Sequence, residues 1–214
     1  MSTWVRYPWP VDSKDTRSSR GASDTRAALL ASAAGLLEEG GMAAVTLRAV
    51  GKRAGISRQA PYRHYADKEA LLSAIAAGYF GQLGEEMTAA ARSVGDDPFG
   101  RLEAIAEAYV RFALSGPNRY RLMFGPEIRD NPHPEVHEAA RAVHEWFVRA
   151  VAGCQEAEQL PEGDPAELAA LIGAAGHGAV DRALAGHVEE EKGLGDPSAL
   201  VRLLLLHLRA ARRP

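Results

Sequence analysis

The chain has 214 residues, enough for one domain or two small ones with a real core, and its 46% apolar and 25% charged residues exclude wholesale disorder. A single cysteine, Cys154, excludes an internal disulfide, and the opening MSTWVRYPWP lacks the apolar region of a secretory signal. No apolar run approaches the roughly 18 residues of a membrane span, so the expectation is a soluble cytoplasmic protein without a membrane partner; the net charge of −3 alone gives no sign of a polyanion partner.

In chain order, residues 1–22 show no period and read as a flexible arm, whose Lys14, Arg17 and Arg20 are more often solvated than bound to phosphate. From Asp24 the spacing of Leu29, Leu30, Ala33, Leu36 and Leu37 predicts a helix that Gly40-Gly41 stops. Thr46 is a good N-cap for a short second helix with Leu47, Val50 and Ala54 on one face, ended by Gly55. Ser57 is the expected cap of a third helix, and Lys68 to about Ala91 reads as a long fourth, broken before Pro98. Helices follow over 102–114, 118–124, about 135–157, 165–187 and 197–211. Strand signals are almost absent, so the fold class is all-α with about nine helices.

Charge is concentrated in one place. Residues 46–68 hold Arg48, Lys52, Arg53, Arg58, Arg63 and Lys68 against Asp67 alone, whereas residues 69–214 hold 22 acids against 14 Lys/Arg. A basic block on an acidic body attracts an anion locally. The same block, TLRAVGKRAGISRQAPYRHYADK, has the form of a helix-turn-helix held by Leu47, Val50, Ala54 and Ile56. Arg58, Gln59, Ala60 and Arg63 are expected to face outward, flanked by Tyr62 and His64. Arg and Gln can bond base edges bidentately, while Tyr, His and Lys suit phosphates. With Ser57 as cap, Pro61 falls in the opening turn, where a missing N–H costs little. It either packs on a thymine methyl or against Ile56 and Tyr65.

With the preceding helix and the following DKEALL, this stretch resembles the TetR family of transcriptional regulators over about residues 24–75. Tyr62, His64, Tyr65 and Lys68-Glu69-Ala70-Leu71 stand at the family's aromatic, histidine, aromatic and Lys-Glu-x-Leu positions. The resemblance implies that Thr46, Tyr62, His64 and Lys68 grip phosphates while Arg58, Gln59 and Ala60 read bases. Arg48, Ser57, Pro61 and Arg63 complete the expected DNA-binding set. It further implies a three-helix DNA-binding domain (23–67) joined to a larger helical domain for effector binding and dimerisation (68–214). The expected function is a ligand-responsive repressor binding a pseudopalindromic operator in double-stranded DNA as a homodimer, with an unknown small-molecule effector, no cofactor and no enzymatic activity. The alternative is a small-molecule-binding or enzymatic helical protein whose basic patch is incidental. Sequence-blind DNA packing is disfavoured by the acidic body.

APYRHY, NRYRLMFG (118–125) and HGAVDRALAGHV (177–188) resemble the subgroup with a WHG-type C-terminal domain. His177-Gly178 fits its His-Gly, but Gly173 stands where its tryptophan is expected, which should enlarge or reshape the cavity that this helix lines. Tyr109, Phe112, Tyr120, Met123, Phe124, Trp146 and Phe147, with Gly173 and His177, are the candidate pocket residues. Two apolar stripes, Leu168, Leu171, Ala175, Ala179 and Leu200, Leu203, Leu204, His207, Leu208, have the form of a four-helix dimer interface. No metal site is expected from His133, His137, Glu138, His144 and Glu145. His137 and His144 lie about 10.5 Å apart along a helix, and Pro134 sets His133 outside it. Glu156 and Glu158 disfavour a reactive Cys154 thiolate. No P-loop, nucleophile elbow, zinc signature or dinucleotide fingerprint occurs.

Overall fold

The computed structural model describes residues 18–131, 133–187 and 195–211, with side chains from residue 24 onward. The basic residues of the arm, Lys14, Arg17 and Arg20, lie outside the described side chains. All regular structure among the described residues is helical. The elements are α1 (Ser18–Ala44), α2 (Leu47–Arg53), α3 (Ala60–His64), α4 (Lys68–Ser93), α5 (Pro98–Ser115), α6 (Pro117–Phe124), α7 (Pro126–Arg129), α8 (Pro134–Glu156), α9 (Pro165–Leu184) and α10 (Pro197–Ala210). Nine match the expected helices, and α7 is a single additional turn.

The helix starts follow one chemical rule. From α5 to α10 each helix begins with proline at its first position, where the missing N–H has no intrahelical partner to lose. Asp97, Asp164 and Asp196 precede three of these prolines and accept from Gly100, Ala166 and Ser198 N–H. Asp67 caps α4 in the same way through Ala70 N–H at 2.7 Å. Near its end α1 kinks at Gly41, whose φ of +64° lies in the left-handed region.

Helix α1 packs on both α2 and α4, and α2 packs on α3, to form one core. Leu29, Leu37, Val45, Val50 and Leu71 are fully buried there. A second core joins α5, α8, α9 and α10 through Leu102, Val151, Ile172, Val180 and Leu205. Helix α4 also packs on α5 and α8, so it belongs to both halves. Leu168, Leu200 and Leu208 pack into the second core and Ala179 is buried in it, so these four expected interface residues serve the subunit's own interior. The reason is register: Val201 and Leu205 turn inward on α10, carrying Leu208 with them one turn later. Leu171, Leu203 and Leu206 stand out in solvent instead, 56%, 51% and 43% exposed.

Candidate functional site

The helix-turn-helix of residues 46–68, the reading unit that the resemblance implies, is held together by its own backbone and by α1. Thr46 caps α2 as expected, its Oγ1 accepting Ala49 N–H at 3.1 Å. Gly55 takes a φ of +68°, which lets the chain reverse, and Ile56 N–H donates back to Gly51 O at 3.1 Å. The turn consumes residues 57–59, so α3 starts three residues after the expected cap. Ser57 is therefore not the N-cap; its carbonyl accepts Ala60 N–H at 3.1 Å, and Gln59 stands at the cap position without a side-chain bond. Arg58 and Gln59 are exposed in the turn that leads into α3 rather than on the helix itself.

Pro61 was open in the sequence between a base and the protein's own interior. It is buried, not presented to solvent, in the first turn of α3. A Cβ placed on Gly51 would come within 2.7 Å of Pro61 Cγ, so the proline ring fills the space that glycine leaves on α2. Of the two roles open to it, burial favours packing, and the partner that the geometry provides is Gly51. Tyr65 is buried beneath the same unit, with the Arg26 guanidinium 5.9 Å from its ring centroid. The remaining expected contacts, Thr46, Arg48, Arg58, Gln59, Tyr62, Arg63 and Lys68, are exposed, and Ala60 and His64 are half-buried. Tyr62 is a large ring left 55% in solvent.

Two cations of the basic block have partners inside the protein. Arg53 is bound by both carboxylate oxygens of Glu39, at 2.6 and 2.7 Å, which lowers the carboxyl's pKa and raises the guanidinium's. Lys68 Nζ donates to Met42 O at 2.8 Å and so fastens α4 to the end of α1. From α6, Asn118 Nδ2 donates to Glu38 O at 3.1 Å, a second fastening of the same helix end.

Between α4, α5, α8 and α9 lies a cavity of about 420 Å³. Five of the nine expected pocket residues line it: Tyr109, Phe124, Phe147, Gly173 and His177. Phe112 and Met123 are instead core residues, the former under the Arg119 guanidinium at 3.7 Å, and Trp146 packs on that core from α8. Tyr120 reaches the site indirectly through His177. Phe80, Leu83 and Met87 of α4 also line the cavity, which spacing did not single out because they are ordinary core-type positions, and so does His144 of α8, an exposed residue weighed in the sequence only for a metal site.

His177 organises the polar side of the cavity. Its Nδ1 lies 2.7 Å from the Tyr109 hydroxyl and 3.1 Å from that of Tyr120, and Phe124 meets the ring edge-on at 4.6 Å. Burial lowers the His177 pKa below its ordinary value, with Asp181 partly opposing. Burial likewise raises both tyrosines, so their hydroxyls keep their protons. Cys154 is buried, and burial pushes its thiol up to about 12, as an inert core residue would be. His137 Nε2 pairs with Asn131 O at 2.8 Å, and among the described residues no group of three or more His, Cys, Asp or Glu could hold a metal. No helix among them is long and apolar enough to cross a membrane.

Comparison with known proteins agrees with this geometry. Residues 29–75 match the model of bacterial regulatory proteins of the tetR family, and residues 102–208, half of the chain, match the tetracyclin repressor-like C-terminal domain. No curated protein matched. Among solved structures, a Rhodococcus sp. RHA1 protein of unknown function is 28% identical with a TM-score of 0.78, over 97% of this chain and 100% of that one. SmeT, the repressor of the Stenotrophomonas maltophilia multidrug efflux pump SmeDEF, is 27% identical with a TM-score of 0.62, over 89% and 91%. A TetR-family transcriptional regulator from Pectobacterium atrosepticum, 24% identical over 92% and 100% with a TM-score of 0.70, shares the fold. With a helix-turn-helix at its N-terminus, a helical domain around a cavity and matches to both family models, the chain belongs to the TetR family of transcriptional regulators.

Proposed function

We propose that this regulator is a ligand-responsive repressor that binds a two-fold-symmetric operator as a homodimer. The observation that carries the reading is α4. One unbroken helix is fastened beside the reading unit through Lys68 and forms the cavity wall through Phe80, Leu83 and Met87. From Lys68 to Phe80 is about 18 Å along the axis at the usual rise. A ligand that prefers one tilt of α4 would therefore shift the population of reading-unit orientations, provided that its affinities for the two differ. The likeness to SmeT supports repression as the output.

The exposed face of Leu171, Leu203 and Leu206, interleaved with Ala174, Ala175 and Gly178, supports pairing of α9 and α10 across a two-fold axis. Each α3 would then enter a major groove, with half-sites about 34–36 Å apart or a multiple of it. A mobility-shift titration on DNA flanking the protein's own gene is the test. Affinity should fall about 10³- to 10⁵-fold between roughly 50 and 200 mM salt if six to ten phosphates are contacted. Salt-insensitive or absent binding overturns the reading. Leu203→Glu should yield monomers in sedimentation and weaken operator binding; a dimer that survives it relocates the interface.

A further inference from the structure

Tyrosines aside, Ser73 and Asn131 are the buried polar residues among the described ones. Asn131 is 6% exposed and lies between α7 and α8. A side-chain amide is costly to bury unless both of its ends are bonded, and both ends of this one are. Its Oδ1 accepts His133 N–H at 3.0 Å, at the cap of α8. Its Nδ2 donates to Glu69 O at 3.3 Å, in the first turn of α4. A main-chain N–H can meet only the amide oxygen, and a carbonyl only the amide nitrogen, so the two partners fix which way the group faces. The main-chain oxygen of Asn131 in turn pairs with His137 Nε2 at 2.8 Å, in the first turn of α8. One residue thus ties the start of α8 to the start of α4.

The connection between α7 and α8 is anchored without this tie, because Ile128 and Val136 on either side of it are buried in the first core. Apolar burial brings helices together without direction, whereas a bonded amide sets their relative height. Both ends of the tie bear on function. Glu69 follows Lys68, whose Nζ holds Met42 O at the end of α1. Consecutive residues of α4 are therefore held by α1 and by the start of α8. At the other end, α8 borders the cavity through Ala140, Val143, His144 and Phe147. Val143 is about 9 Å along the helix axis from His137 at the usual rise.

We infer that Asn131 positions the reading unit from α8: it is the joint through which a displacement of the cavity wall at Val143 and Phe147 reaches the first turn of α4. This rests on the proposed coupling of cavity and reading unit, to which it adds a route separate from the length of α4 and a named residue. Asn131 does not line the cavity and is buried from solvent, so it is a positioning residue and not a contact.

The test is hydrogen exchange of the full chain, read peptide by peptide, in the parent and two variants. Asn131→Asp keeps the oxygen for His133 N–H and puts a second acceptor where the donor to Glu69 O stood, so it breaks the α4 bond alone. It should speed exchange about two- to tenfold in residues 46–65, the effect of one lost hydrogen bond on their opening, with residues 165–184 unchanged. His137→Ala, at an exposed position of α8, should give the same pattern more weakly. A merely local role would loosen residues 68–73 and 133–137 and leave 46–65 as in the parent. That result overturns the inference, as does an even rise over the whole chain in both variants. A second arm adds saturating DNA from beside the protein's own gene. Coupling acts in both directions, so bound DNA should slow exchange in residues 137–147 of the parent and not in those of Asn131→Asp. Equal slowing in the two, or none in the parent while DNA is bound, overturns the inference as well. The first arm contains neither DNA nor effector, so it decides the matter even where operator binding fails, and a negative result in it leaves the α4 route standing.

Discussion

Between Thr46 and Lys68 the side chains with chemistry to offer stand in solvent, whereas around His177 they are enclosed and bonded to one another. Arg58, Gln59, Tyr62 and Arg63 are exposed, and what is rigid beneath them is the backbone: the Thr46 cap, the Gly55 turn and the Gly51–Pro61 contact. In the cavity the rigid part is a side-chain network on one histidine, and the rest is smooth and apolar. The difference follows from the ligands each region suits. A polyanion keeps much of its water and is met by mobile charges at a surface, while an apolar molecule must be desolvated by a preformed hollow.

The contrast is broken most severely by attacking the backbone contact. Gly51→Val would drive a branched side chain into Pro61, because even a Cβ there comes within 2.7 Å of a ring that cannot rotate away. The expected cost is about 1–3 kcal/mol of stability. Operator binding should be lost in mobility shifts, while hydrogen exchange in residues 165–184 is unchanged. Loss of protection there as well would mean that the two regions fold as one unit.

Arg58→Ala should cost about 1–3 kcal/mol of operator affinity and relax preference at one position of each half-site. A uniform loss over all sequences would make Arg58 a phosphate contact. Lys68→Ala tests a residue with a structural bond as well as a charge. It should lower the salt slope by about 1 per subunit without altering base preference. Removing the bond to Met42 O should also reduce stability by roughly 0.5–1.5 kcal/mol. An unchanged slope with lowered stability would leave Lys68 only its role between α1 and α4.

The smallest expected effect is on the enclosed side. Burial holds the folded His177 pKa below its ordinary 6.5. The unfolded chain then binds a proton first as pH falls, so the stability tied to neutral His177 is complete above the unfolded value and is lost as pH drops through the folded one. The thermal midpoint of the parent should therefore fall further than that of His177→Gln on going from about pH 7.5 to about pH 5. Parallel curves would show that the imidazole is not held neutral.

The helices and the reading unit were legible because their signals are local. Thr46 three residues before a donor, Asp before Pro at α5, α9 and α10, and Gly at turns each act within a few residues of themselves. Ser57 misled because the Gly55 turn runs longer than a cap three residues upstream of α3 allows. Pro61 was undecidable from spacing, since its direction depends on the absent side chain of Gly51 on another helix. In α10 leucine occupies four consecutive positions, 203 to 206, so composition could not say which of them turns inward. Leu205 is fully buried and its neighbour Leu206 is not. For the same reason Phe112 and Phe147 looked alike in sequence, though one fills the core and the other borders the cavity.

The two fastenings on the end of α1 have a consequence for variation. Lys68 and Asn118 both grip main-chain carbonyls, those of Met42 and Glu38. Every amino acid supplies that acceptor, so these two bonds survive a change of side chain at 38 or 42, whereas they are lost with the donors at 68 and 118; the Met42 side chain itself still packs on the first core. A helix-turn-helix exchanged from a relative would find both donors waiting whatever it carries at those two places, provided that its first helix ends at the same height.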